Sequence, residues 1–241
     1  MMKKEPKNTS IQKNEPDTSS VIDQTIMSVA EGITGIAASE KTEWLRSVGF
    51  LLQRIRSGRF LETFKNEWDA YREKGQVKDD YLFTDQHKEC LQELLDFLDG
   101  DVPDQTRFTV LKQIFFTAAS ETISNRDSAI PQQYMKIARS LSSGEVLVLL
   151  AVSQLAEEKA VLPPNNTSAN EWLKIVTEKS DLVDSELVEL HERGLVEKNL
   201  IKPRTHSDKS GVSLGEYFRL TGLGVNLCEF IKTDTTGKDE Q

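Results

Sequence analysis

Apolar residues recur at every third or fourth position through nearly all of this 241-residue chain. This spacing places apolar side chains along one side of an α-helix, whereas a half-buried strand alternates apolar and polar residues. We therefore predict a mainly α fold, with a helical domain over residues 21–141. Residues 1–20 and 233–241 contain few apolar side chains to bury, and we predict that both segments are disordered.

The composition excludes several classes of protein. There are 39 acidic and 30 basic side chains, a formal net charge of -9, and only two cysteines. Two cysteines without a paired spacing argue against a disulfide-stapled secreted domain, and the first 20 residues lack the apolar segment of a secretory signal. No uninterrupted apolar run reaches about 18 residues, so we expect no stable membrane insertion. The expected location is the cytoplasm.

A change in the order of elements after residue 141 predicts a second module over residues 142–232. Ser142 and Glu145 form a capping box that opens an apolar helix, and Asp184 can cap a later one. Strand-like residues follow at 195–201 and 217–220, and the module closes with a helix capped by Thr221. The predicted architecture is thus an N-terminal helical bundle plus a C-terminal winged helix with a two-stranded β-ribbon.

Two stretches of this module carry a resemblance to known families. The segments Glu186–Val196 and Tyr217–Gly224 resemble the end of the third helix and the close of the wing in MarR-type winged-helix regulators. More loosely, the whole chain is similar to bacterial Abi-alpha proteins, of the phage abortive-infection type, through the junction Ile137–Glu145. The resemblance implies a bacterial protein, with phage defence as one setting and DNA-binding transcriptional regulation as the alternative function.

The charge pattern favours protein association over DNA binding. Across residues 171–193, three Lys or Arg face seven Asp or Glu, and an acidic helix opposes the counterion exchange that gives most DNA affinity. The predicted wing is more basic, and phosphate contact through it remains the alternative. Its candidate phosphate-contacting residues are Lys198, Lys202, Arg204, Lys209 and Arg219. We expect a homo-oligomer or a protein partner, with nucleic acid disfavoured.

A narrow apolar stripe near the N-terminus is the predicted association surface. Its members recur at steps of four and three residues along one helix side, and small residues surround them. The stripe consists of Ile22, Ile26, Val29, Ile33 and Ile36. We favour docking on the rest of the chain or on a second copy. A membrane-surface helix is a weaker alternative because the polar side offers Asp23 and Glu31 rather than cations. Partial disorder of this segment is the third alternative.

Sequence motifs for catalysis are missing, so we predict that the protein is not an enzyme and has no cofactor, metal or catalytic residue. His87 and Cys90 lie three residues apart, but zinc sites usually take three or four protein ligands. The simpler prediction buries Cys90 as a small hydrophobe. The carboxylates from Asp96 to Asp104 do not match the EF-hand spacing, and no phosphate-binding loop or nucleophile elbow occurs.

Overall fold

The computed structural model describes residues 28–36, 42–55, 58–78, 80–100, 104–120, 130–158, 169–203 and 219–232. The chain divides into two compact units, Met1–Gln53 and Arg54–Gln241. The predicted domain boundary at residues 141 and 142 falls inside the second unit. The predicted disordered arm and tail lie outside the described residues, so both stay predictions.

The first unit contains helix α1 (residues 28–34) and nearly all of α2 (Glu43–Arg54). After α1 the backbone turns at Gly35, whose φ of 69° is a left-handed conformation that glycine adopts without steric strain. Helix α2 follows Thr42, whose hydroxyl oxygen accepts a hydrogen bond from the Leu45 amide at 3.2 Å. Each helix buries one apolar side, formed by Ala30 and Ile33 in α1 and by Leu45, Val48 and Leu52 in α2.

The second unit begins with four helices and one short 3₁₀ turn. They are α3 (Gly58–Glu73), the 3₁₀ turn Tyr81–Phe83, α4 (Asp85–Gly100), α5 (Gln105–Ala119) and α6 (Ile130–Ser140). Side-chain caps fix two of the starts. The Thr84 hydroxyl accepts from the His87 amide at 3.1 Å, and the Asp104 carboxylate accepts from the Arg107 amide at 2.9 Å.

Helix α5 forms the centre of the second unit. It packs against α3, α4 and α6, and also against the later helices α7 (Ser143–Glu157) and α10 (Gly222–Lys232). Its side chains are therefore buried on almost every side. Aromatic rings fill the space between α5 and α3. Phe64 and Trp68 meet Phe115 edge to face and stack against Phe116, with ring centroids 5.0 to 5.9 Å apart.

Three further helices complete the unit: α7 (Ser143–Glu157), α8 (Ala169–Ser180) and α9 (Ser185–Glu197). Ser142 and Glu145 make the predicted capping box at the start of α7, with hydrogen bonds of 2.7 and 3.2 Å. Asp184 caps α9 through the Glu186 amide at 2.9 Å, and Thr221 caps α10 through the Gly224 amide at 3.0 Å.

The predicted two-stranded ribbon is wrong, and with it the winged-helix part of the predicted fold class. In the described residues there is no β-strand, only one isolated antiparallel bridge between Ile201 and Leu220. Helix α9 continues through Gly194 to Glu197, because Leu195 extends the buried side of that helix. The backbone then turns at Asn199, whose φ is 56°, before any strand can form. Residues 204–218, the middle of the predicted ribbon, lie outside the described residues.

Candidate protein-interaction surface

Helix α9 buries one side and exposes apolar residues on the other. Leu187 and Leu190 are 43% and 54% exposed, and Val183, in the turn before the helix, is 98% exposed. We call these three residues the exposed apolar face. Neighbouring exposed apolar side chains mark interaction sites on soluble proteins more often than singly scattered ones do. The buried side of the same helix consists of Val188, Glu192 and Leu195.

Two glycines bring the buried side of α9 close to the start of α7. A Cβ atom on Gly194 would lie 2.0 Å from Glu145 Oε1, and one on Gly144 would lie 2.0 Å from His191 Nε2. Lys198 adds a hydrogen bond of 2.6 Å from its ammonium to Glu145. Burial raises the pKa of Glu145, but hydrogen bonds from Lys198 and Ser142 outweigh burial and lower it overall. Glu145 therefore stays ionised and holds α9 in place.

A buried ion pair fixes the same side of α9 to the segment before α10. Arg219 Nη1 lies 2.6 Å from Glu192 Oε1, and the same oxygen accepts the Trp172 indole N–H at 2.6 Å. The Arg219 guanidinium also donates to the Lys202 carbonyl oxygen at 2.9 and 3.1 Å and lies over the Trp172 ring. These bonds hold α8, α9 and the backbone at Lys202 in one arrangement.

A cavity lies near each end of α9. The first, of about 420 Å³, is lined by Leu173, Lys174, Thr177, Glu178, Val183, Asp184 and Ser185. The second, of about 380 Å³, is lined by Glu189, Glu192, Arg193, Val196, Glu197, Pro203 and Arg219. Val183 belongs to the lining of the first cavity, so the exposed apolar face adjoins concave surface at its start. The second cavity lies toward the C-terminal end of α9.

Carboxylates surround the exposed apolar face. From residue 181 to residue 197 the only Lys or Arg in the sequence is Arg193. The exposed acidic residues in that range are Asp181, Asp184, Glu186, Glu189 and Glu197. The outer side of α9 therefore combines apolar contact area with a negative border.

The predicted phosphate-contacting residues are not brought together on one exposed surface. Arg219 is buried against Glu192, and Lys198 is half-buried and bonded to Glu145. Lys202 is exposed, and Arg204 and Lys209 lie outside the described residues. Of the three that are described, Lys202 alone offers its charge fully to solvent.

The described residues of the predicted association stripe are buried or half-buried. Ile33 and Ile36 are buried and Val29 is half-buried, so these three residues present little apolar surface to a partner. Ile22 and Ile26 lie outside the described residues. Over the helices that the structure does describe, none has the length and apolar character needed to cross a bilayer.

His87 and Cys90 are both buried in α4. The His87 ring lies 5.1 Å from the Tyr81 ring and 5.5 Å from the Phe115 ring, centroid to centroid. Burial lowers the pKa of His87 to about 4 and raises the pKa of Cys90 to about 12. A thiol held in the neutral state is a poor nucleophile and a poor metal ligand. Among the described residues, no three His, Cys, Asp or Glu side chains are grouped so as to hold a metal ion.

No family model, curated protein or solved structure matches the chain. The resemblance to Abi-alpha proteins therefore stays an expectation from the sequence.

The exposed apolar face was missed by the sequence analysis, although its signal was present. Leu187 and Leu190 are three residues apart and share one side of α9, whereas Val188 lies on the other side. A helix with two apolar sides can pack against its own domain with the larger side and bind another molecule with the smaller one. The Glu192–Arg219 pair had no comparable signal, because 27 positions separate its members.

Proposed function

We propose that this protein works by binding another protein, without catalysis, and that the exposed apolar face of α9 is the docking surface. The observation that carries the proposal is the exposure of Leu187 and Leu190 on α9, and of Val183 just before it, while the other side of this helix is fixed by buried and part-buried ion pairs. A rigid helix that shows apolar side chains to solvent is suited to recognition of a second helix.

The same surface argues against the alternative function, a DNA-binding regulator. Duplex DNA is a polyanion, and α9 with the turn before it carries five exposed carboxylates beside one exposed guanidinium. Arg219 is buried and Lys198 is bonded to Glu145, so two of the candidate phosphate contacts are already occupied within the chain. The resemblance to Abi-alpha proteins supports phage defence as the setting in which this association acts.

The test compares two exposed apolar sites in the same chain. A photoreactive residue at position 187 identifies the partner by cross-linking in the host, and the purified partner is then titrated against variants. Leu187→Ser/Leu190→Ser should raise the Kd at least about ten-fold, which is the effect of removing an interface hot spot. Phe83→Ser is the matched control, because Phe83 is 68% exposed in the 3₁₀ turn of the same unit.

The control variant should change the Kd by less than about two-fold, within the range of near-neutral interface positions. Circular dichroism establishes that both variants keep the helix content of the wild type. Equal binding by the wild type and the double leucine variant would overturn the proposal.

A further inference from the structure

We infer that the partner at the exposed apolar face is an amphipathic helix of a different protein, with Lys or Arg beside its apolar stripe. This inference rests on the proposed function and adds the chemistry of the partner to it. Three features of the outer side of α9 lead to it: the spacing of the apolar residues, the concave surface at their start, and the charge around them.

The spacing matches the contact of one helix with another. Val183, Leu187 and Leu190 follow steps of four and three residues, and the helical part of this stretch, from Ser185 to Leu190, covers about 8 Å. A partner helix that crosses α9 presents its own side chains at the same intervals. The cavity of about 420 Å³ beside Val183 has Leu173 in its wall and is large enough to take an apolar side chain from the partner.

The charge around the exposed apolar face determines which flanking residues a partner helix should have. Glu178 and Asp184 line the cavity at one end of α9 together with Lys174, and three Glu side chains line the cavity at the other end together with Arg193 and Arg219. Because acidic side chains outnumber basic ones in both linings, each end keeps a negative charge. A partner with cations beside its apolar residues would gain attraction at both ends, which raises the rate of association and suppresses acidic partners. A partner with acidic flanks would meet like charge at both ends.

The same charges argue against a second copy of this chain as the occupant. A two-fold dimer through this surface would place α9 against α9, because an isologous interface pairs a patch with itself. Glu186 and Glu189 of the two copies would then approach each other, with Arg193 as the only cation that each α9 supplies. Juxtaposed like charges at an interface disfavour such a pairing.

Two synthetic helical peptides test the inference on the full chain. They share one leucine stripe and differ only in the flanking positions, which are Lys in one peptide and Glu in the other. We expect the Lys peptide to bind at least about ten-fold more tightly at low salt, with the difference shrinking as ionic strength rises. Glu186→Lys/Glu197→Lys should reduce or reverse the preference.

The matched control is Glu62→Lys/Glu73→Lys, which changes the net charge equally at two exposed positions of α3 and should keep the preference for the Lys peptide. Equal binding of the two peptides, with both lost in Leu187→Ser/Leu190→Ser, would overturn this inference and leave the proposed function standing. A dimer seen by sedimentation and lost in the same leucine variant would also overturn it, in favour of a second copy. Binding of neither peptide, or binding that ignores the leucine variant, would count against both.

Discussion

The Arg219 guanidinium lies 2.6 Å from the Glu192 carboxylate, and each side chain is only 3% exposed. A charge pair this far from solvent has lost most of its hydration, and it is stable only because every partner is in place. Trp172 and the Lys202 carbonyl group complete the set. A residue that the sequence placed on a phosphate-binding wing therefore has a structural role, which is to hold α9 against its neighbours.

Breaking that pair should be costly. Glu192→Leu leaves the buried Arg219 charge uncompensated, so we expect the free energy of unfolding to fall by about 3–5 kcal/mol. The double variant Glu192→Leu/Arg219→Met removes both charges and should recover most of the loss. Urea denaturation of the wild type, the two single variants and the double variant measures the coupling. A loss below about 1 kcal/mol for the single variants, as for an exposed pair, would contradict the burial of this bond.

Close packing at Gly224 gives a second prediction. A Cβ atom at this position would lie 2.1 Å from the Leu200 carbonyl oxygen, and a backbone atom cannot move aside as a flexible side chain can. We expect Gly224→Ala to lower the free energy of unfolding by about 1–3 kcal/mol. Gly222→Ala is the control, because nothing lies within 4 Å of a Cβ there. Chemical denaturation showing equal stability for the two variants would rule out the close approach.

Buried His87 should make stability depend on pH. Burial, with smaller effects of Lys88 and Arg72, lowers the pKa of His87 from 6.5 to about 4. Between these values the unfolded chain binds the proton more readily than the folded chain, so the stabilising contribution is complete above pH 6.5 and falls as the pH drops toward 4. The loss attributable to His87 should reach about 3 kcal/mol.

The measurement for His87 is a comparison of urea denaturation at several pH values for the wild type and His87→Leu. The difference between the two curves isolates this histidine from the many carboxylates that titrate in the same range. A difference that stays constant from pH 7 to pH 4 would show that His87 is accessible to protons in the folded state.

The two thiols should be inert in the folded protein. Burial raises the pKa of Cys90 to about 12 and the pKa of Cys228 to about 11, so little thiolate exists near neutral pH. Ellman's reagent at pH 8 should label neither cysteine in the native chain and both in denaturant. Rapid labelling of Cys90 without denaturant would reopen the metal-binding alternative for His87 and Cys90.

Local sequence signals predicted the helix starts well. The errors fall where tertiary contacts determine the structure. The caps at Ser142, Asp184 and Thr221 were found because capping depends on residues three or fewer positions apart. Residues 195–197 were predicted as strand because a short apolar run fits either structure. In the folded chain, Leu195 joins the buried side of α9, and that contact favours helix.

The exposed apolar face and the Glu192–Arg219 pair also depend on tertiary contacts that local sequence signals do not reveal. The helical period predicted that Leu187 and Leu190 lie on a helix, but it cannot say whether a neighbouring helix covers them or leaves them exposed. Likewise, the positive charge of Arg219 was visible in the sequence, whereas its pairing with Glu192 depends on how α9 and the segment before α10 meet. Partners distant in sequence, rather than local preference, determined which predicted site residues are exposed.

The most direct test of the docking surface on α9 is an NMR titration of the isotope-labelled full chain with the Lys-flanked leucine peptide. The account predicts that the backbone amides of residues 183–197 shift most, that residues around Phe83 shift little, and that Leu187→Ser/Leu190→Ser abolishes the changes. Shifts centred on any other helix, or shifts at α9 that persist in the leucine variant, would contradict it.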